Sequence, residues 1–486
     1  MPSFSSCPEP GPARIVFFVP LLLLLNGCLM GPDYERPDVS EQLPESFSVP
    51  EGWKLAEPSD DQPRGEWWKH FKSPALDDLI MQAHERNQDL TAAVYRMEQA
   101  RAIVDGSRAA FLPTLDFAPS FERRRRSGTI NNAAANLTGT KTSNLSMPVL
   151  LGYEFDFWGG LRRAVEAAEA ESLGGEATLR QARLSLEAEV ATLYFTLRSL
   201  DSEIGILMEA VELRERALDL NRKRFVAGDT DEVDVTRAQT ELATTEVELI
   251  DVRQSRDMVE NAIAVLVGEP ASGFNLPSEM LGDPPSNAPV AAPAGLLERR
   301  PDVAAAERDM MAANARIGVA KAAFYPSVRI SATGGLESGG TARLFDLASR
   351  TWGFGPEVSL PILDGGRNRA ELKRVRARHE ETVARYRQTV LNAVRDVEDA
   401  LTDLARLKEK TIAQDRTVTA AARTVELSRR RYEAGVVAYF EVVDAQRTEL
   451  DSRRLALEFK AARHLATIAL IRALGGDWSE PVEKGE

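Results

Sequence analysis

The sequence predicts a mainly α-helical chain with a small membrane β part, built as a duplicated pair of repeats. Three observations carry this. Five landmarks recur in the same order in both halves. No proline interrupts Gly160 to Gly228, which is patterned as one very long helix. Each half also holds two short runs that alternate apolar and polar residues, as strands do.

The duplication is explicit. Gly106-Ser-Arg-Ala-Ala-Phe-Leu-Pro113 returns as Val319-Ala-Lys-Ala-Ala-Phe-Tyr-Pro326, and Phe157-Trp-Gly-Gly-Leu-Arg162 as Leu363-Asp-Gly-Gly-Arg-Asn368. Arg224-Phe-Val-Ala-Gly228 returns as Arg431-Tyr-Glu-Ala-Gly435, Ala238-Gln239 as Ala445-Gln446, and Val265-Leu-Val-Gly268 as Ala473-Leu-Gly-Gly476. The expected segments are 1–27 (signal peptide), 28–75 (anchored, extended), 76–268 (first repeat), 269–298 (proline-rich linker), 299–476 (second repeat) and 477–486 (tail).

The N-terminus is a targeting segment. The apolar run Ile15 to Leu25 is too short to span a bilayer but suits a signal-peptide core. Leu25-Asn26-Gly27-Cys28 closes it and resembles a bacterial lipobox, which implies a lipidated Cys28 as the mature first residue. The alternative is an ordinary cleaved signal that happens to contain Cys28. From Leu29 to Arg64 the chain is rich in proline and acidic residues and is expected to be extended.

In the first repeat, Leu76 to Ala110 has helical composition and Pro113 ends it. Leu115 to Phe121 and Met147 to Phe157 are expected strands, with a polar loop Arg123 to Asn144 between them. The basic run Arg123 to Arg126 opens that loop; it is either simply solvated or touches anionic lipid headgroups. About 65 helical residues then extend roughly 100 Å. This helix carries a heptad seam of Leu186, Val190, Leu193, Leu197, Leu200, Ile204, Leu207 and Val211. The return helix carries Val235, Ala238, Leu242, Thr245, Leu249, Val252, Val259, Ile263 and Leu266, with Arg256 as the charged intruder. A 3.5-residue period makes the pair an antiparallel coiled-coil hairpin turning at Gly228.

The second repeat has strands at Ser327 to Gly334 and Trp352 to Ile362, and a hairpin around Gly435 with Val390, Val394, Val397, Leu401 and Leu404 on one seam. Four strands per chain cannot close a barrel, and an open edge in lipid is not tolerated. Either the sheet is soluble or several chains share one barrel. The helices alone also fit a coiled-coil spacer.

Taken together, Cys28 with Gly31-Pro-Asp-Tyr-Glu-Arg-Pro37, Trp67-Trp68 with Phe71, the repeated double glycine, and Tyr432-Glu-Ala-Gly435 with Asp444-Ala-Gln446 resemble the outer-membrane factor family. These are the TolC-like exit ducts, and within them the NodT-like efflux lipoproteins. The resemblance implies a homotrimer, a twelve-stranded β-barrel continuous with a twelve-helix α-barrel. It further implies a periplasmic adaptor (membrane fusion protein) and an inner-membrane pump as partners, passive export, and anchorage in outer-membrane lipid. A lipid-anchored periplasmic adaptor is the alternative function.

The resemblance also places functional residues. The hairpin tips, with Phe225, Gly228, Asp229 and Thr230 and with Tyr432, Gly435, Val436 and Val437, are the implied adaptor contacts. Glu441 and Asp444 match the family's lumen-facing gate carboxylates, and Asp234 is the first-repeat candidate. Carboxylates in a helix's first turn are also favoured by the dipole alone. The family often has an arginine where Val437 stands, so a closed tip needs other partners, with Arg429 and Arg430 as candidates. Gly159, Gly160, Gly365 and Gly366 mark strand-to-helix bends.

A formal net charge of −14 argues against a nucleic-acid partner. His70, His84, His379 and His464 have no metal-ligand spacing, and there is no Walker loop or GxSxG elbow. An enzyme is therefore not expected, nor a cofactor beyond the lipid on Cys28.

Overall fold

The computed structural model describes residues 29–35, 65–125, 127, 141–285 and 300–476. Cys28, the signal segment and the C-terminal tail lie outside the described residues. Two compact units form. Of the described residues, one takes 29–35, 98–125, 127, 141–173 and 307–384, and the other 65–97, 174–285, 300–306 and 385–476.

The helices are α1 (Pro74–Arg86), α2 (Gln88–Ala109), α3 (Gly160–Ala227), α4 (Glu232–Leu266), α5 (Pro301–Ala322), α6 (Arg367–Glu433) and α7 (Tyr439–Ala473). The long helices α3 and α6 have 68 and 67 residues, and the return helices α4 and α7 have 35 each. The expected first helix is broken at Asn87, whose backbone is extended (ψ 125°). Asn87 caps the new start by accepting from Leu90 N at 2.9 Å, and its amide donates to Leu266 O at 3.0 Å.

The strands are β1 (Thr114–Phe117), β2 (Ser120–Arg125), β3 (Lys141–Phe155), β4 (Ser327–Ser338) and β5 (Arg350–Ser359). All pairings are antiparallel in the order β1-β3-β4-β5, with β2 on the same edge of β3 as β1. Pro119, which has no N–H, separates β1 from β2. The loop expected at Arg123 to Asn144 is shorter than the composition suggested, because β2 runs to Arg125 and β3 starts at Lys141. Cross-strand pairing overrides the polar composition there.

Register sorts the sheet into two faces. Leu115, Phe117, Phe121, Leu145, Met147, Val149, Leu151, Tyr153 and Phe155 share one face with Val328, Ile330, Ala332, Leu336, Trp352, Phe354 and Val358. Trp352 is 85% exposed on it. The other face carries Asp116, Glu122, Glu154, Arg329, Glu337 and Glu357, and Arg329 bonds Glu154 across strands at 3.1 Å.

Both strand-to-helix joints use an aspartate and glycines. Asp156 accepts from Leu161 N and Arg162 N at 3.0 Å each, and Asp364 accepts from Gly366 N at 2.8 Å and Asn368 N at 2.9 Å. Gly159, Gly365 and Gly366 have φ of +73°, +67° and +87°, the left-handed region. Gly160 is small for another reason, since a Cβ there would lie 3.1 Å from Ala322 Cβ.

In the same unit the segment after Cys28 lies on the helices. Met30 N donates to Trp158 O at 3.2 Å, Asn314 Nδ2 to Pro32 O at 3.1 Å, and buried Arg163 pairs with Asp33 at 2.8 Å.

The second unit holds the main core, with Trp67, Leu76, Ile80, Val190, Tyr194, Leu197, Ile263 and Ile471 buried. Trp67 Nε1 donates to Glu187 at 2.8 Å. Described linker residues cross this core on polar stitches. Arg198 donates to Pro277 O at 2.7 Å, Arg256 to Leu276 O at 2.7 Å, and Leu281 N to Ser202 Oγ at 2.8 Å. Arg256, the charged intruder in the seam, pairs with buried Asp201 at 2.8 Å, so its charge is satisfied where the heptad pattern alone makes it an error. No described helix is long and apolar enough to cross a membrane.

Candidate functional site

The tips of the two hairpins are built alike. Helix α3 ends on Gly228 at φ +81°, with Gly228 N bonding Phe225 O at 3.0 Å and Asp229 N bonding Arg224 O at 2.8 Å. Helix α6 ends on Gly435 at φ +71°, with Gly435 N bonding Tyr432 O and Val436 N bonding Arg431 O, both at 2.9 Å. These are left-handed caps that only glycine adopts without strain. Phe225, Asp229, Val436 and Gly435 are exposed, Thr230 and Val437 are half-buried, and Tyr432 is buried.

Tyr432 belongs to the core that joins the hairpins, with Leu218, Ala238, Tyr439, Val442 and Val443. Its ring lies 5.4 Å from that of Tyr439, and the Arg224 guanidinium sits 4.7 Å above it. Its hydroxyl donates to Asn221 Oδ1 at 2.8 Å, and Asn221 has no exposed surface. Burial pushes the Tyr439 phenol up to about 12, so it stays neutral. Tyr432, an adaptor contact by the resemblance, is buried within the chain and ties the hairpins together.

The candidate carboxylates separate. Asp234 on α4 accepts a 2.6 Å bond from Thr230 Oγ1, and its N–H donates to the capping Asp231 at 3.1 Å. It therefore closes the first tip. Glu441 and Asp444 lie three residues apart on α7, share one face and are exposed. Glu441 meets Arg431 at 3.8 Å, across the second tip. Arg429 pairs with Glu433 and Arg430 with Glu426, each along its own helix. Within the chain neither performs the locking role expected of them.

The stronger cross-hairpin tie went unnoticed in the sequence. Arg447 on α7 holds the Glu241 carboxylate of α4 with both Nε (3.0 Å) and Nη2. Arg214 of α3 approaches the same carboxylate at 3.8 Å and donates to the Glu241 carbonyl at 3.1 Å. Glu241 and Arg214 are buried. Burial lowers the Arg214 pKa, while the hydrogen bond to Glu241 raises that of Arg447. An open groove of about 570 Å³ runs beside this tie, lined by Glu232, Val233, Thr236, Arg237, Thr240, Glu241 and Arg447. One signal was present in the sequence: Glu241 and Arg447 stand at nearly equal separations from Gly228 and Gly435.

No group of His, Cys, Asp and Glu among the described residues has a geometry that would hold a metal. The arrangement suits two hairpin ends clamped to each other, with an exposed acidic pair on α7 beside the clamp, Asp444 one turn before Arg447.

A sequence profile of outer membrane efflux proteins matches residues 79–269 and 292–476. The cation efflux system protein CusC of Escherichia coli O157:H7 is 30% identical over 475 residues, covering 96% of this chain and 100% of that protein. The toluene efflux pump outer membrane protein TtgI of Pseudomonas putida is 30% identical over 476 residues, covering 94% of this chain and 97% of that protein. The structure of the outer-membrane channel OprN matches with a TM-score of 0.82 at 28% identity, covering 93% of this chain and 100% of that one.

Proposed function

The chain belongs to the outer membrane efflux protein family, and from that premise we propose how this molecule serves as the exit duct of a tripartite efflux system. It resides in the outer membrane and works with partner pump proteins. The single observation that carries the finer reading is the apolar face of the β-sheet. That face is continuous across every strand, half-buried over most of β3 and β4 and exposed on β1, β2 and β5, where it ends on open edges. Unpaired edges in lipid are forbidden, so the four strand positions of one chain call for more copies. Three copies give twelve strands with apolar residues toward lipid and Glu154, Arg329 and Glu357 toward water.

In this reading Cys28 carries the lipid, and residues 29–35 seat the anchor on the helices beside the sheet. The paired hairpins form the periplasmic wall, and their tips contact an adaptor. Substrate passes by diffusion through a water-filled lumen, with no catalysis by the chain. Opening separates the hairpins at the Tyr432 and Arg447 ties. Glu441 and Asp444, repeated around a threefold axis, make an anionic ring that favours cations. Relatives of equal identity are named for cation and for toluene efflux. Cargo choice therefore rests with the pump, and the duct accepts what it is given.

Native mass spectrometry of the detergent-extracted protein, with acyl chains resolved, tests the assembly. A trimer with lipid on Cys28 supports it. A stable monomer leaves the sheet unclosed and returns the adaptor reading.

A further inference from the structure

The apolar face of the sheet carries charge at one end only, and all of it is positive. Register places Arg123 opposite Ser143 and Arg125 opposite Lys141. Both pairs continue the face of Phe121 and Leu145. Arg350, opposite Leu336, shares it. Among the described strand residues this face holds no Asp or Glu, whereas the opposite face holds Asp116, Glu122, Glu154, Glu337 and Glu357. The sequence joining Arg125 to Lys141 also lacks acidic residues. Arg123, Arg125 and Lys141 are exposed, and among the described residues none has an ion-pair partner.

Arg125 and Lys141 stand directly across from each other, and like charges so placed destabilise a strand pair. A solvated inner wall would relieve this with a carboxylate, as Arg329 and Glu154 do on the other face. On a face that turns toward lipid, the counter-charge must come from the membrane. The cations sit at the hairpin-turn end, and the opposite strand ends lead into the helices. Along β3 the face runs from Phe155 through Leu151 and Met147 to Leu145, then to Ser143 and Lys141. That is the order of hydrocarbon followed by headgroup.

We propose that Arg123, Arg125 and Lys141 form a binding site for a phosphate-bearing lipid headgroup of the outer leaflet. Two guanidinium forks and one ammonium match a phosphate with charge-assisted, partly bidentate bonds. The apolar residues below, Phe121 and Leu145, lie where the acyl chains of the same lipid begin. The inference rests on the trimeric outer-membrane reading above.

The test uses the full-length protein purified in detergent and titrated with diphosphoryl lipid A, followed by native mass spectrometry and Tm. The wild type should hold lipid A through its mass spectrum and gain Tm. The variant Arg123→Ser/Arg125→Ser/Lys141→Ser should bind about a hundredfold more weakly, roughly fivefold for each cation removed. Arg124→Ser, on the opposite face, should bind as the wild type does. Equal binding by the triple variant overturns the site. Displacement of lipid A by millimolar inorganic phosphate also overturns the assignment, because it marks a free-anion site and not a lipid site. Single-channel conductance of the variants separates this from misfolding, and Arg125→Ser alone, with a fivefold loss, serves if the triple variant does not assemble. A wild type that forms no trimer and no pore removes the membrane face itself, and the proposal with it.

Discussion

The Tyr432 hydroxyl donates a 2.8 Å hydrogen bond to Oδ1 of Asn221, which ties the end of α6 to the buried face of α3. Tyr432→Phe keeps the ring under Arg224 and beside Tyr439 but leaves a buried amide oxygen unpaired. That costs about 1–3 kcal/mol. If the tie holds the tips closed, resting single-channel conductance should rise while the open-state conductance stays unchanged. A variant with a lower Tm and unaltered resting conductance would confine the tie to stability.

The Glu241 cluster predicts an order of effects. Glu241→Ala leaves Arg214 buried without its carboxylate, and breaking a buried pair in this way costs about 3–5 kcal/mol. Arg447→Ala strips both hydrogen bonds from the buried Glu241 carboxylate but leaves Arg214 at 3.8 Å beside it, and the lost side chain is 57% exposed, so its cost lies between the roughly 1 kcal/mol of an exposed pair and that of Glu241→Ala. Thermal unfolding should therefore place Glu241→Ala below Arg447→Ala. Equal losses would mean that Arg447, and not Arg214, is the partner that matters.

Glu441 and Asp444 are exposed on one face of α7. Replacing both with alanine should lower cation over anion selectivity in planar-bilayer recordings, with trimer mass and Tm little changed. Asp234→Ala should behave differently. It loses the Thr230 bond that closes the first tip, so its effect should appear in stability before selectivity. Unchanged selectivity in the double variant removes the anionic ring.

Much of this was legible because the chain states it twice. The repeats fixed hairpin ends, strand pairs and glycine bends, and the heptad seams fixed which faces meet. The break at Asn87 was not legible, because it depends on a long-range bond to Leu266 O. Strand ends were misplaced where Arg123 to Arg125 and Lys141 to Asn144 look like loop by composition and pair by context. The role of Arg256 was hidden for a similar reason. Its partner Asp201 is on another helix, and no heptad rule connects them. Among site residues, position relative to the tip glycine singled out Glu441 and Asp444, which lie exposed on one face of α7. It did not reveal that Asp234 is used locally, or that Glu241 and Arg447 face each other.

His464 gives a pH dependence with a definite sign. Its ring stacks on Phe195 at 4.4 Å and Phe71 at 5.9 Å, Nε2 meets Gly282 O at 3.1 Å, and Nδ1 is buried without a partner. Burial pushes its pKa down from 6.5 to about 4. The unfolded chain therefore binds the extra proton between those values. Stability from this group is complete above pH 6.5 and falls as pH drops to about 4, by about 3 kcal/mol in all. The Tm of the wild type should decline over that window. His464→Phe should flatten the decline, and an identical slope would assign it to carboxylates elsewhere.

Two glycines decide whether the segment after Cys28 stays seated. Gly31 has φ +119°, and a Cβ on it would lie 2.7 Å from Gly318 Cα. A Cβ on Gly318 would lie 2.6 Å from Met30 O and 2.7 Å from Arg163 Cγ. The first obstacle is backbone and cannot swing away, so Gly318→Ala must displace residues 29–35 or move Arg163 off Asp33. In an exposed helix interior, alanine would otherwise stabilise by about 1 kcal/mol. Gly106, on α2 with nothing within 4 Å of an added Cβ, is the matched control. Hydrogen exchange should speed up at residues 29–35 in Gly318→Ala and stay slow in Gly106→Ala. Slow exchange in both would show that the segment is held by its ion pair and hydrogen bonds alone, and that the close glycine contact is incidental to anchoring.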